Sequence, residues 1–336
     1  MTITLKPLDR QVIVITGASS GIGLVTARRA AARGACVMLV ARNEEALRGA
    51  VRTIEAAGGV AAYALADVGD AGQVEAAAAA AVTRVGRIDT WVNNAGVAIY
   101  AKLADTPLDA HERLFRTNYF GCVNGCMAAL PHLAEQGGAL ITVASVVADI
   151  ATPVMGVYAA SKHAVKAYME ALRIELMAEK SPVSVTLVKP SGIDTPVGQH
   201  ALNRMDGEGQ IPPPPYDPEL VAAAILDAAE RPRREITVGG AGRAQVLFAE
   251  HFPSLYERMA PVFAKAFNDR SKAQPTPSNL FDPVRGGRER SGELHSRQIS
   301  LYTAAQLHPG ASALVAGGGL LAGAALLYSL RRRKTG

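Results

Sequence analysis

The fold is decided by the stretch Val12-Ile13-Val14-Ile15-Thr16-Gly17-Ala18-Ser19-Ser20-Gly21-Ile22-Gly23. A short β-branched run ends in a glycine turn, and the residues from Leu24 to Arg33 then have helical character. The glycines allow the backbone to turn tightly and to approach a pyrophosphate, which the positive end of the following helix dipole attracts. A purely structural turn is the alternative. Strand, glycine turn and helix in this order favour nucleotide binding.

Further apolar runs with strand character follow along the chain and alternate with helical stretches. These runs are Cys36–Val40, Val60–Ala66, Ile88–Val92, Ala139–Ala144, Val183–Val188 and Arg234–Val238. Such alternation predicts an α/β fold, a Rossmann-type doubly wound parallel sheet of about seven strands. Ligands of such sheets gather beyond the carboxyl ends of the strands, so the residues that follow each run are the candidate site residues.

The second run ends in Ala41 and Arg42. An acidic residue at this place binds the 2′-hydroxyl of NAD(H), whereas an arginine accommodates the 2′-phosphate of NADP(H). Two glutamates follow, but Asn43 can cap the next helix and place both in its first turn, where the helix dipole favours them. The sequence therefore predicts NADP(H) in preference to NAD(H), with Arg42 as an ordinary solvated charge being the alternative.

Tyr158 and Lys162 lie four residues apart at the start of a convincing helix. Four residues is just over one helical turn, so the two side chains leave the same face. A nearby cation favours the ionised phenol and lowers its pKa, which makes Tyr158 a candidate general acid and base. Taken alone, the pair could equally be an ordinary tyrosine and lysine on a helix surface.

Other candidates follow further strands. Asp67 and Val68 end the third run, although an Asp there is often only a helix cap. Asn93-Asn94-Ala95-Gly96 ends the fourth run, and Ser145 follows the fifth. Asn118 lies in the middle of a predicted long helix, Leu108 to Leu133, where Asn is a poor helix former.

In the order and separations of these motifs, beginning with Thr-Gly-x3-Gly-x-Gly, the chain resembles the short-chain dehydrogenase/reductase family. The resemblance implies four catalytic residues: Asn118, Ser145, Tyr158 and Lys162. It implies that Asp67 contacts the adenine and Thr195 the nicotinamide carboxamide. Ser191 departs from the Pro-Gly that the family usually has. The cofactor-binding residues that we expect are Gly17, Ser19, Ser20, Gly21, Ile22, Gly23, Arg42, Asp67, Val68, Asn94, Ala95, Gly96, Tyr158, Lys162, Pro190, Gly192, Ile193 and Thr195.

The implied reaction is hydride transfer between nicotinamide and a carbonyl or secondary alcohol. Tyr158 would exchange the hydroxyl proton, Lys162 would hold the nicotinamide ribose and lower the phenol pKa, and Ser145 would bind the substrate oxygen. Asn118 would maintain a proton path through a bound water. The mostly apolar connection 146–157 favours a lipophilic substrate, and a polar sugar or polyol stays open. A membrane-tethered NADP(H) sensor or scaffold without turnover is the alternative function.

Charge and cysteine content narrow the possible partners. The formal net charge is +5, and Arg331, Arg332, Arg333 and Lys334 supply four of it, which leaves 5 − 4 = +1 for the rest. Nucleic-acid binding would need cations clustered on a folded face, so we expect none. The three cysteines show no paired spacing, which favours free thiols in a reducing compartment and gives no metal site. The family resemblance implies a homo-oligomer formed through the helices bearing Asn118 and Tyr158.

We divide the chain into a catalytic domain (1–243), a helical extension (244–270), a flexible linker (271–310), a hydrophobic helix (311–330) and a basic tail (331–336). Residues 197–215 are rich in glycine and proline, which predicts either a lid over the pocket or a disordered segment. Residues 311–330 carry no charge and are long enough to span a bilayer. A buried or interfacial helix is the alternative. With no export signal at the amino terminus, we expect a cytoplasmic catalytic domain attached to the membrane by its tail.

Overall fold

A computed structural model describes residues 3–273, 277–284 and 287–310. Its centre is a parallel sheet of seven strands in the order β7-β6-β5-β4-β1-β2-β3. The strands are β1 (Val12–Thr16), β2 (Cys36–Ala41), β3 (Val60–Leu65), β4 (Thr90–Asn93), β5 (Gly138–Val143), β6 (Val183–Pro190) and β7 (Glu235–Val238). The expected doubly wound α/β fold is therefore confirmed, and the seven expected runs are these strands to within two residues at either end.

Helices cover both faces of the sheet. They are α1 (Gly21–Ala32), α2 (Glu44–Ala56), α3 (Ala71–Val85), α4 (Leu108–Phe115), α5 (Gly121–Gln136), α6 (Gly156–Ala178), α7 (Val197–His200), α8 (Pro218–Glu230), α9 (Gly240–His251), α10 (Pro253–Ala264) and α11 (Leu301–Leu307). Two hydrophobic cores pack against the sheet. One contains Leu47 and Ile225, and the other contains Trp91 and Met169. Because both faces are covered, β1, β5 and β6 are buried along their whole length. The sequences of β1 and β5 are almost continuously apolar, whereas β6 also buries Ser184, Thr186 and Lys189.

The long helix expected over Leu108 to Leu133 is divided in the structure. A π-helical turn, Arg116–Phe120, separates α4 from α5, and Asn118 lies inside it. The Asn118 side chain bonds both backbone groups of Val97, so it holds a neighbouring loop instead of only facing solvent. Single π turns of this kind widen a helix locally and are frequent at functional sites.

The helical extension begins earlier than the boundary expected at residue 243, which falls inside α9. Tyr256 and Ala260 of α10 pack with Val246 of α9 against Val146 and Ile150, which follow β5. Burial of these apolar groups joins α9 and α10 to the loop after β5. The extension is therefore continuous with the catalytic domain rather than an addition beside it.

Residues 277–284 and 287–310 also differ from the expected flexible linker, because they lie against the domain. Ser291 donates to Asp194, Arg290 pairs with Asp217, and α11 packs on β7, α8 and α9. Hydrogen bonds and ion pairs such as these need no apolar periodicity, so the sequence pattern did not indicate them.

The hydrophobic segment 311–330 and the basic tail 331–336 lie outside the described residues. Within the described ranges, none of the helices combines the length and the apolar content that crossing a bilayer requires.

Candidate active site

The glycine turn between β1 and α1 has little room for side chains. Gly17 and Gly21 have φ values of +66° and +53°, a region that L side chains rarely adopt. A Cβ on Gly23 would lie 2.5 Å from the Gly17 carbonyl oxygen. The turn therefore needs glycine at these positions, and it leaves the amino end of α1 facing the cavity that we describe next.

Asn94 fixes the turn from the neighbouring strand. Its Nδ2 donates to the Thr16 and Gly17 carbonyl oxygens, and the Thr16 hydroxyl accepts from the Asn94 and Ala95 amides. The Asn-Asn-Ala-Gly segment after β4 is thus hydrogen-bonded directly to the glycine turn after β1. It does more than end the strand, because it holds that turn in place.

A cavity of about 940 Å³ opens beyond the carboxyl ends of the strands. All but two of the expected site residues line it, namely Gly17, Ser19, Ser20, Gly21, Ile22, Arg42, Asp67, Val68, Asn94, Ala95, Gly96, Ser145, Tyr158, Lys162, Pro190, Gly192, Ile193 and Thr195. The two exceptions, Gly23 and Asn118, lie behind the wall. Residues widely separated in sequence thus meet in one cleft.

Tyr158, Lys162 and Ser145 come together at one end of the cavity. The Lys162 Nζ lies 5.6 Å from the centroid of the Tyr158 ring and donates to the Val143 carbonyl oxygen at 2.9 Å. The Ser145 hydroxyl accepts from the Val147 amide at 3.3 Å and donates to the Pro190 carbonyl oxygen at 3.5 Å, and it lies near enough to the Tyr158 hydroxyl to lower its pKa. The expected closeness of the phenol and the ammonium is present.

Burial dominates the ionisation of both groups. It raises the pKa of Tyr158 to about 12, and the hydrogen bond from Ser145 offsets only part of that rise. It lowers the pKa of Lys162 to about 8. The expected lowering of the phenol pKa by Lys162 therefore does not occur within the chain itself, because removing both groups from water disfavours the charged form of each.

Asn118 lies close to Lys162, and both the oxygen and the nitrogen of its side-chain amide make hydrogen bonds. Besides its bonds to Val97, its Nδ2 donates to the Ser161 hydroxyl at 3.1 Å. A cavity of about 10 Å³ lies between Asn118 and Lys162, close to the smallest space that holds one water.

The comparisons with known proteins agree with this geometry. Residues 11–206 match the model of the short chain dehydrogenase family. An uncharacterized oxidoreductase of Bacillus subtilis, YxnA, is 41% identical over 324 residues, which are 94% of this chain and 90% of that protein. This chain belongs to the short-chain dehydrogenase/reductase family.

Two solved structures of the family resemble the fold. A short-chain dehydrogenase/reductase from Burkholderia phymatum in complex with NAD has a TM-score of 0.68 and 26% identity, and the match covers 81% of this chain and 99% of that one. An alcohol dehydrogenase from Thermococcus sibiricus complexed with 5-hydroxy-NADP has a TM-score of 0.60 and 26% identity, with coverage of 68% and 95%. Like the members of its family, this chain is an oxidoreductase with a nucleotide-binding Rossmann fold.

The cavity fits the nicotinamide dinucleotide that the family uses. The glycine turn, which leaves room for phosphates, lines the same cavity as the buried Lys162 and Tyr158. After β3, the Asp67 carboxylate pairs with Arg113 at 2.5 Å, and Arg42 lies 4.0 Å away. Burial would raise the pKa of Asp67, but its bonds to Arg113 and the Gly69 amide and the charges of Arg113 and Arg42 hold it below its usual value.

Several lining residues escaped the sequence analysis. Phe248, Met259, Phe263 and Phe267 come from α9, α10 and the turn after α10, and they make one end of the cavity apolar. Tyr100, beyond the Asn-Asn-Ala-Gly segment, lies beside Tyr158, and burial raises its pKa further above the usual value. The only sequence signal for this aromatic wall was the amphipathic helical pattern over 245–270, which Pro253 and Pro261 interrupt.

Proposed function

We propose that this protein is an NADP(H)-dependent oxidoreductase that transfers a hydride between nicotinamide and a carbonyl or secondary alcohol, with Tyr158 as general acid and base. One observation carries the proposal. Ser145, Tyr158 and Lys162 line the same cavity as the glycine turn, and the Lys162 Nζ lies 5.6 Å from the centroid of the Tyr158 ring. A structural turn and an ordinary helix pair would have no reason to share one cleft.

Side chains of the protein itself supply the proton for the substrate oxygen and orient the substrate and the cofactor. The dinucleotide supplies or accepts the hydride when it is bound. The buried Tyr158 hydroxyl is protonated at neutral pH, so it can donate a proton to a carbonyl oxygen. The Ser145 hydroxyl bonds the same substrate oxygen, where charge builds during the reaction. Lys162 holds the nicotinamide ribose, and Asn118 keeps the path behind it open to a water.

The test is cofactor oxidation with a panel of ketones and aldehydes, supplied with NADPH or NADH. We expect turnover by the wild type, and a loss of at least about a hundredfold in Tyr158→Phe, since general acid catalysis contributes at least that factor. Tyr158→Phe should still bind cofactor. Near-normal turnover by that variant would refute the role of Tyr158. Cofactor binding with no turnover on any compound would instead favour a sensor or scaffold.

The preference for NADP(H) rests on Arg42 and its surroundings. Arg42 and Arg113 place two guanidinium groups at the adenosine end, and Asp67 is paired with Arg113. Comparing the NADPH and NADH affinities of Arg42→Ala with those of the wild type tests the preference. An unchanged ratio would show that Arg42 does not select the cofactor.

We infer a lipophilic substrate from the apolar wall that α9 and α10 build over Tyr158. A ketone with a bulky apolar group would bury that group against Phe248 and Phe263, whereas a sugar would leave its hydroxyls without partners there. If sugars and polyols turn over faster than apolar ketones in the same panel, this inference fails.

We further propose a cytoplasmic catalytic domain that is attached to membranes. Phe252, Leu255, Met259 and Val262 form an exposed apolar stripe at helical spacing on α10, and Met259 also lines the cavity. Sedimentation of the full chain with anionic lipid vesicles tests attachment. Binding that stays unchanged in the Leu255→Ser/Val262→Ser variant would remove α10 from the contact.

We also propose a homo-oligomer built on α5 and α6. Phe120 and Met127 on the first helical face and Ile174 and Met177 on the second expose apolar side chains. Apolar side chains grouped on adjacent helix faces are typical of an interface between subunits.

A further inference from the structure

The carboxyl-terminal part of the chain returns to the cofactor site. We call the described residues 277–284 and 287–291 the strap. At one point the Asn279 amide donates to the His200 carbonyl oxygen of α7 at 2.7 Å. At another the Gly21 amide donates to the Arg288 carbonyl oxygen at 2.8 Å. The described parts of the strap therefore contact α7 at one point and the glycine turn at another.

Leu280 docks the strap in the domain. Its side chain has no exposed surface and packs in a cluster with Val97, Leu114 and Val157. Val157 directly precedes Tyr158. Burial of a whole leucine side chain favours the docked position of this part of the strap.

Two arginines hold the strap beside this leucine. Arg42 donates to the Asn279 and Phe281 carbonyl oxygens, and Arg113 donates to the Leu280 carbonyl oxygen between them. Three successive carbonyls thus accept bonds from guanidinium groups, and hydrogen bonds to charged groups are stronger than neutral ones. Arg42, which sequence analysis assigned to the cofactor alone, also binds the strap.

The strap is a wall of the cofactor cavity. Asn279, Pro283 and Val284 line the same space as Ser19 and Asp67. The Asn279 Oδ1 is buried and has no hydrogen-bond partner in the part of the chain that the structure describes. A buried acceptor without a donor is unfavourable, and Asn279 lines the cavity, so a rotation of its side-chain amide would present this acceptor to a ligand. A sugar hydroxyl is the donor that a dinucleotide offers.

We propose that the strap completes the cofactor site: Asn279 accepts a hydrogen bond from a sugar hydroxyl of the bound dinucleotide, and the strap lifts for the dinucleotide to enter or leave. This inference rests on the proposed function, since it concerns the same cofactor. It adds a positioning segment that lies outside the stretch matched by the family model, which ends at residue 206.

The test measures cofactor binding by the full chain rather than turnover. Stopped-flow fluorescence gives the association and dissociation rate constants of NADPH and NADH. Leu280→Ala removes the docking contact, so both rate constants should rise, dissociation by about tenfold or more. Leu301→Ala is the matched control, because it makes the same change at an exposed leucine in the same part of the chain. It should change neither.

Asn279→Ala tests the hydrogen bond itself. It should weaken equilibrium binding of both dinucleotides by about three- to tenfold, the range expected for one neutral hydrogen bond. Asn268→Ala is its control, because the Asn268 Oδ1 is also buried without a described partner but lies outside the cavity. Equal binding by Asn279→Ala and the wild type would overturn the assignment of Asn279.

Hydrogen exchange over 277–284 shows whether Leu280→Ala has released the strap while far-UV circular dichroism shows the fold intact. A released strap with unchanged rate constants would overturn the gate, and tighter binding would show that the strap opposes the cofactor. If the protein binds cofactor but reduces no compound, the proposal for the strap is kept and the proposed oxidoreductase function is refuted. If the protein binds neither dinucleotide, both proposals are refuted.

Discussion

At the glycine turn, a single residue can determine whether the backbone keeps its shape. Gly23 has the closest neighbours in the turn. An added Cβ would meet the Gly17 carbonyl oxygen at 2.5 Å and the Asn94 Nδ2 at 2.6 Å. Gly23→Ala must therefore push the turn and the Asn94 segment apart. We expect cofactor affinity to fall by at least about tenfold, measured by fluorescence titration, because the phosphate-binding amides would move.

Gly49→Ala is the control for Gly23→Ala. Gly49 lies within α2, and a Cβ there would meet no atom within 4 Å. Alanine is the better helix former, so this variant should gain about 0.5–1 kcal/mol in unfolding free energy and bind cofactor normally. Normal cofactor binding by Gly23→Ala as well would contradict the role of the close approach.

In the proposed mechanism, the pKa of Lys162, which burial lowers to about 8, sets the pH dependence of carbonyl reduction. That mechanism needs Lys162 charged and Tyr158 protonated. Tyr158 keeps its proton up to about pH 12, so the fall in kcat/KM on the alkaline side reports Lys162. We expect kcat/KM to decline above about pH 8, by about tenfold per pH unit. A flat profile to pH 10 would contradict this assignment.

The lowered pKa of Lys162 also makes the unfolding free energy depend on pH. Between about pH 8 and 10.5 the unfolded chain holds a proton on this lysine that the folded chain has lost. The contribution of Lys162 to the unfolding free energy therefore rises with pH across that window.

At the scale of elements, a buried ion network holds the segment between β5 and α6. The Asp149 carboxylate accepts from Lys189 of β6 at 2.5 Å and from Lys166 of α6 at 2.6 Å, and Lys189 also pairs with Glu235 of β7. Burial would raise the pKa of Asp149, but the bonds from Lys166 and Lys189 keep it below its usual value. The network joins two strands and a helix to the loop that follows Ser145.

Lys189→Met should destabilise the protein by about 3 kcal/mol, because it leaves the buried Asp149 carboxylate with Lys166 as its remaining ion-pair partner. Urea unfolding measures the change. Arg48→Met, which breaks the exposed pair with Glu44, is the control and should lower the unfolding free energy much less than Lys189→Met does. The stability that Asp149 contributes should be lost as pH falls through its depressed pKa, below about 4. Equal effects of the two variants would show that the network adds nothing.

The sequence predicted the elements that repeat a local pattern and missed those held by distant backbone contacts. β1 and β5 are continuous apolar runs, and the Asn43 side chain caps α2 as expected. The strap could not be predicted in the same way. Its contacts use the carbonyls of residues 279–281, and a carbonyl is present whatever the side chain. The aromatic wall was missed because two prolines interrupt its helical pattern.

At the scale of the whole molecule, we expect self-association through α5 and α6. The Ile174→Glu/Met177→Glu variant would bury four carboxylates in a symmetric interface, so it should elute as a monomer in size-exclusion chromatography with light scattering. Leu108→Glu, which changes an exposed leucine on α4, should leave the association state unchanged. A wild type that is monomeric at every concentration would contradict the interface.

The bond between the Gly21 amide and the Arg288 carbonyl joins positions 267 residues apart. Since the ribosome makes a chain from its amino end, the glycine turn is synthesised long before the residues that cover it. A nascent chain can form its parallel strands early and still expose the nucleotide cleft. The enclosure can form only after the chain has been synthesised past Arg288. If the strap acts as proposed, removal of these residues should change how the protein retains its cofactor even where the sheet stays whole.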